Sequence, residues 1–121
     1  MNSYKRLVVG ESLSGTSWAP ASIAHGPNNR TALVRTLHER FEWRLPDASA
    51  NPYLATAALI AAGLDGIDQQ LDPGPECHDD LFELSPGELA ARGIGQLPQS
   101  LFDAVAALAE DEVVRGALGE T

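Results

Sequence analysis

The sequence predicts an α+β fold, with antiparallel strands in the first third and about three helices after them. Three observations carry this. Residues 31–36 and 40–45 are short apolar and β-branched runs on either side of a tight turn. From Pro52 onward, apolar residues recur at helical spacing in segments opened by Asn or Ser. The 121 residues leave room for a single domain with a modest core.

Residues 10–17, Gly-Glu-Ser-Leu-Ser-Gly-Thr-Ser, have loop composition. A first strand fits Ser22–His25. Gly26-Pro27-Asn28-Asn29 is turn chemistry, because asparagine tolerates positive φ. Thr31–Thr36 and Arg40–Leu45 then form an antiparallel hairpin across His38-Glu39. After Pro46 the pattern turns helical. Asn51 is the expected N-cap and Pro52 the first helical residue. Leu54, Ala58, Ile60, Ala61, Leu64, Ile67 and Leu71 make the apolar stripe of a helix over 52–71. The segment 72–84 carries two prolines and reads as a solvent-facing connection. Ser85-Pro86-Gly87-Glu88 is a capping box for a short helix ending near Gly93. A third helix is expected from Ser100 to about Leu118, with Glu110-Asp111-Glu112 exposed. Residues 1–46 are thus loop and strands, and 47–121 helical.

Charge is distributed unevenly. Residues 1–44 hold six basic and three acidic groups, a formal +3, whereas residues 45–121 hold two basic and fourteen acidic, a formal −12; the sum is −9. So acidic a chain is a poor ligand for nucleic acid, where neutralising phosphate dominates affinity. The cations cluster on the expected strands: Arg30, Arg35, Arg40 and Arg44, with Glu42 between the last two. Alternate strand residues share a face, so Arg40, Glu42 and Arg44 should project as a cation–anion–cation row. An arginine cluster with one carboxylate suits phosphate, a substrate carboxylate and a divalent metal at once. The competing interpretation is a wet sheet face on which each charge contributes little.

Other motifs carry less. Gly10-x4-Gly15-Thr16-Ser17 lacks the lysine of a P-loop, and Trp18-Ala19-Pro20 follows where a helix is required. His25, His38 and His78 lack metal-ligand spacing. The single cysteine, Cys77, lies in an acidic loop and cannot form an internal disulfide. The longest apolar stretch, 54–64, is too short for a membrane span, and no apolar signal core opens the chain, so a cytoplasmic location is expected. The polar-aromatic opening Met1–Leu7 reads as a cut edge.

Five motifs occur in an order that resembles the glutamine synthetase family. They are Asn2-Ser3-Tyr4-Lys5-Arg6-Leu7, Asn29-Arg30-Thr31-Ala32-Leu33-Val34-Arg35, Arg40-Phe41-Glu42-Trp43-Arg44-Leu45-Pro46-Asp47, Ala50-Asn51-Pro52-Tyr53-Leu54-Ala55 and Ala62-Gly63-Leu64-Asp65-Gly66-Ile67. The resemblance is strong over residues 2–74 and looser over 80–118, and it implies a single partial domain: the C-terminal part of a glutamine synthetase catalytic domain, or of a glutamate–amine ligase close to it.

The resemblance implies roles by position. Arg6 would hold the carboxylate of glutamate. Arg30 and Arg35 would contact the phosphates of ATP and the transferring phosphoryl group, with Arg30 and Arg44 as the catalytic cations. Arg40 would bind nucleotide phosphate, and Glu42 would ligate Mg²⁺ or Mn²⁺. Arg44 would meet the glutamate and the acyl-phosphate. The implied reaction belongs to nitrogen metabolism and glutamine biosynthesis: ATP phosphorylates the γ-carboxylate of glutamate, and ammonia or a small amine attacks the acyl-phosphate. Preset positive charge would stabilise that transfer. Family members share sites between subunits of a homo-oligomer. Trp18 stands before Ala19-Pro20 where the family usually has a glutamate, which fits an organic amine such as methylamine as the nucleophile. Glu42 alone cannot hold several divalent ions, so the 121-residue chain by itself is expected to be inactive. The alternative is a non-catalytic remnant or interaction module that binds synthetase subunits.

Overall fold

The computed structural model describes residues 19–119. A mixed four-stranded sheet has β1 (Ser22–Pro27), β2 (Ala32–Thr36), β3 (Phe41–Trp43) and β4 (Gly95–Gln96) in the order β3-β2-β1-β4. The helices are α1 (Pro52–Asp68), α2 (Pro86–Ala91), α3 (Leu101–Glu110) and α4 (Glu112–Leu118). The α+β class read from the sequence therefore holds.

The β2–β3 hairpin is antiparallel, with Arg35 opposite Glu42 and Val34 opposite Trp43. The β1–β2 pair is parallel, which differs from the expected antiparallel arrangement. Only residues 28–31 join them, far fewer than a parallel crossover normally needs. The chain bends twice there. Asn28 adopts φ 52°, and the Asn29 side chain closes a turn onto the Thr31 amide at 2.9 Å. Two reversals so close together restore the original strand direction.

Helix starts follow the expected chemistry. Asn51 Oδ1 accepts from the Tyr53 and Leu54 amides, with Pro52 in the first turn. At α2 the capping box is complete: Ser85 Oγ accepts from the Glu88 amide, and Glu88 Oε2 accepts from the Ser85 amide at 2.8 Å. Replacing Ser85 with alanine should cost about 1 kcal/mol, read as a lower urea midpoint at unchanged slope.

The single helix expected over 100–118 is two. Asp111 sits at φ −92°, ψ 96°, and its carboxylate accepts from the Val114 amide as the N-cap of α4. A short polar side chain that can serve the backbone locally favours a cap over a helix interior.

Buried apolar residues form two small clusters. Ala32, Cys77, Leu81 and Leu89 make one; Ala19 and Ala21, against Leu45 and Leu97, make the other. The 72–84 connection is therefore only partly solvent-facing, because Cys77 and Leu81 anchor it in the core. The Cys77 amide also donates to the His25 carbonyl at 2.8 Å. Gly26 makes this docking possible: a Cβ there would lie 2.0 Å from the Cys77 carbonyl oxygen.

The helical layer is thinner. α4 packs against α1 and α3. No residue of α1 is fully buried, and Tyr53, Ile60, Leu64 and Ile67 stand exposed at intervals of seven, four and three. That spacing places them on one face. The half-buried Ala58, Ala61, Asp65 and Gly66 lie on the opposite side.

Candidate functional site

The double bend at residues 28–31 ends β1 and starts β2, and it borders an open cleft. Arg30, Arg35, Asn28, Asn29, His78 and Asp80 are among its lining residues, and its volume is about 510 Å³. A second cleft of about 480 Å³ beside Ile23 and His25 is mostly apolar and holds none of the strand arginines.

Arg35 is the organising cation. Its Nη1 lies 3.0 Å from Glu42 Oε2 across the hairpin. Its Nε donates to Asn28 Oδ1 at 3.1 Å, and its Nη2 donates to the same oxygen. The left-handed Asn28 thus turns its side-chain oxygen onto the guanidinium. Arg40 reaches Glu42 Oε1 at 4.0 Å from an exposed position. Arg44 is half-buried just beyond β3. The Arg35 hydrogen bond holds the Glu42 carboxyl below its ordinary value of 4.5, helped by the charges of Arg35, Arg40 and Arg44 and opposed by partial desolvation.

Unfolded Glu42 binds a proton more readily than folded Glu42, so its contribution is present above pH 4.5 and is lost as pH falls below it. The urea midpoint should decline through that acid range, and Glu42→Gln should flatten the decline. A residual slope should remain, because the Ser85 side chain holds the Glu88 carboxyl below its ordinary value too.

The structure thus places Arg35, Arg40 and Arg44 around Glu42, and Arg30 with Arg35 at the cleft. Arg6 and Trp18 lie outside the described residues. Among the described residues no group of three or more His, Cys, Asp or Glu could hold a metal ion. Glu42 offers a single ligand already met by Arg35, so these residues do not by themselves make a metal centre. Sequence reasoning missed Asn28 and Asn29 as site residues, and His78 and Asp80 as the opposite wall. The available signal was the Asn28-Asn29 pair, read as a turn and, at Asn29, as the start of a family motif, with no role assigned to either side chain.

With this geometry in hand, the likeness to known proteins is specific. The family model "Glutamine synthetase, catalytic domain" matches residues 1–121. The glutamate–methylamine ligase of Methyloversatilis universalis is 58% identical over 119 residues, covering 98% of this chain and 27% of that protein. The glutamine synthetase of Halobacterium salinarum is 50% identical over 125 residues, covering 99% of this chain and 26% of that protein. A solved structure, the GmaS/ADP complex in its conformation 1, superposes with a TM-score of 0.80 at 50% identity, over 98% of this chain and 27% of that one. The chain therefore spans about a quarter of the length of these relatives. Among the described residues no helix is long and apolar enough to cross a membrane.

Proposed function

The chain belongs to the glutamine synthetase family through its catalytic domain, and from that premise we propose that it supplies the phosphate-binding edge of an ATP-dependent glutamate–amine ligase. The observation that carries this is Arg35, held by Glu42 across the hairpin, lining one open cleft with Arg30. Fixed guanidinium groups bind phosphate oxygens in bidentate fashion and stabilise charge that develops during phosphoryl transfer. Arg30, Arg35 and Arg40 bind the nucleotide phosphates in this reading. Arg44 and Arg6 hold the glutamate, and Arg30 and Arg44 act on the acyl-phosphate. Similarity to a structure solved as an ADP complex supports a nucleotide here.

Glu42 would supply one ligand to a Mg²⁺ or Mn²⁺ ion, the remaining ligands coming from other parts of the ligase. That ion supplies charge neutralisation at phosphate oxygens when bound. The nucleophile is ammonia or methylamine, with methylamine favoured by Trp18 before Ala19-Pro20 and by the 58% identity to a glutamate–methylamine ligase. The site is completed within a homo-oligomeric, cytoplasmic enzyme of nitrogen metabolism, so the chain alone is inactive.

Calorimetry tests the reading. Inorganic triphosphate should bind the chain weakly, and Arg30→Ala should weaken binding by about tenfold, the equivalent of one charge-assisted hydrogen bond. Absence of binding to the unaltered chain would overturn it. Turnover of ATP and glutamate by the chain alone would overturn the claim of inactivity. In the complete ligase, a clear preference for ammonia over methylamine would reject the amine assignment.

A further inference from the structure

Asn29 uses its whole amide. Nδ2 donates to the Cys77 carbonyl at 3.0 Å and to the Asp79 carbonyl at 2.9 Å. Oδ1 accepts from the Thr31 amide at 2.9 Å and from Thr31 Oγ1 at 2.7 Å. An amide has two donor hydrogens and two acceptor lone pairs, so no capacity is left over. Thr31 Oγ1 then accepts from the Leu81 amide at 3.0 Å.

The pattern of these contacts sorts loop 77–81. Its backbone is pinned at residues 77, 79 and 81, and the side chains of Cys77 and Leu81 enter the core. His78, Asp79 and Asp80, between the two core-anchored positions, line the cleft. On the other side of Asn29, the turn it closes onto Thr31 carries Arg30 at its apex. One side chain therefore holds both walls: the arginine turn and the His78–Asp80 wall, some 50 residues apart in sequence.

From this we propose that Asn29 is the positioning residue of the phosphate cleft, locking loop 77–81 to the Arg30 turn so that the cleft keeps one width. The proposal rests on the reading of the cleft as a phosphate site. Asn29 also lines the cleft, but its amide is fully engaged with protein partners, so it acts through the walls it holds. The loop has other ties, from the Cys77 amide to His25 and from Asp79 to Arg92, so releasing Asn29 should loosen the wall without detaching it. Lost alignment then shows as lost affinity rather than lost fold.

The test titrates inorganic triphosphate into the unaltered chain, Asn29→Ala and Thr31→Val, at a temperature where each is fully folded by circular dichroism. Thr31→Val removes the second half of the same clamp, so it stands in if Asn29→Ala does not fold. Each variant should bind about tenfold more weakly, the loss of roughly one hydrogen bond's alignment. Amide exchange at Leu81 should speed up in both. Unchanged affinity in folded variants, beside a binding parent, would overturn the role of Asn29 alone. A parent chain that binds no triphosphate would overturn the phosphate reading, and the positioning role with it.

Discussion

Gly26→Ala is expected to destabilise the chain by about 3 kcal/mol, at the upper end of overpacking effects. The methyl group would sit 2.0 Å from the Cys77 carbonyl oxygen and 3.0 Å from its carbon. Neither neighbour is the end of a flexible side chain. β1 is fixed by pairing Gly26 with Arg35, and the Cys77 backbone by its hydrogen bond to His25. Relief requires the loop to leave the sheet, which would pull Cys77 and Leu81 out of the core they share with Ala32 and Leu89. A domain with a few kcal/mol in hand would lose much of its stability. Urea unfolding measures this. Gly63→Ala is the control: nothing lies within 4 Å of the added carbon. There the helix should gain about 0.5–1 kcal/mol, because alanine loses less backbone freedom on folding. Equal midpoints for the two variants would contradict the close-approach argument.

Arg35→Ala should weaken triphosphate binding by about thirtyfold, because it removes a charge-assisted phosphate contact and leaves Glu42 without its nearest cation. The guanidinium spans Asn28 on the turn and Glu42 on β3. Without it, Glu42, one strand away from the cleft-lining position 35, has only the more distant Arg40 and Arg44 to offset its charge. A carboxylate so exposed repels phosphate. Arg35→Lys keeps the positive charge but cannot reach both partners with one ammonium. It should fall between the parent and alanine. Calorimetry with inorganic triphosphate reads both, and a lysine variant equal to the parent would show that charge alone suffices. The acid limb of the stability curve gives a second reading: Arg35→Ala should move the loss of Glu42's contribution toward its ordinary titration range.

Local chemistry made much of the fold legible. Asn51-Pro52 and Ser85-Pro86-x-Glu88 announce helix starts because capping is a contact between residues two or three apart. The hairpin over 31–45 was legible for the same reason. The parallel pairing of β1 with β2 was not, since it depends on two bends inside four residues and on a loop docked from residue 77. The break at Asp111 was hidden because an acidic triplet reads equally as an exposed helical face or as a cap. At the site, period-two alternation brought Arg40, Glu42 and Arg44 into one view. It could not reveal that Arg35 on the neighbouring strand is Glu42's principal partner, because cross-strand register is a tertiary fact. Nor could it assign Asn29, whose donors reach carbonyls on a segment that composition alone paints as an acidic connection.

The bare ridge on α1 sets how the chain behaves in a tube. Tyr53, Ile60, Leu64 and Ile67 face water along one side of the helix, with Asp68 the charge beside its C-terminal end. Warming and sulfate strengthen attraction between such aliphatic rows, whereas cooling and urea relax it. Turbidity should therefore rise with temperature and lyotropic salt well before the sheet melts.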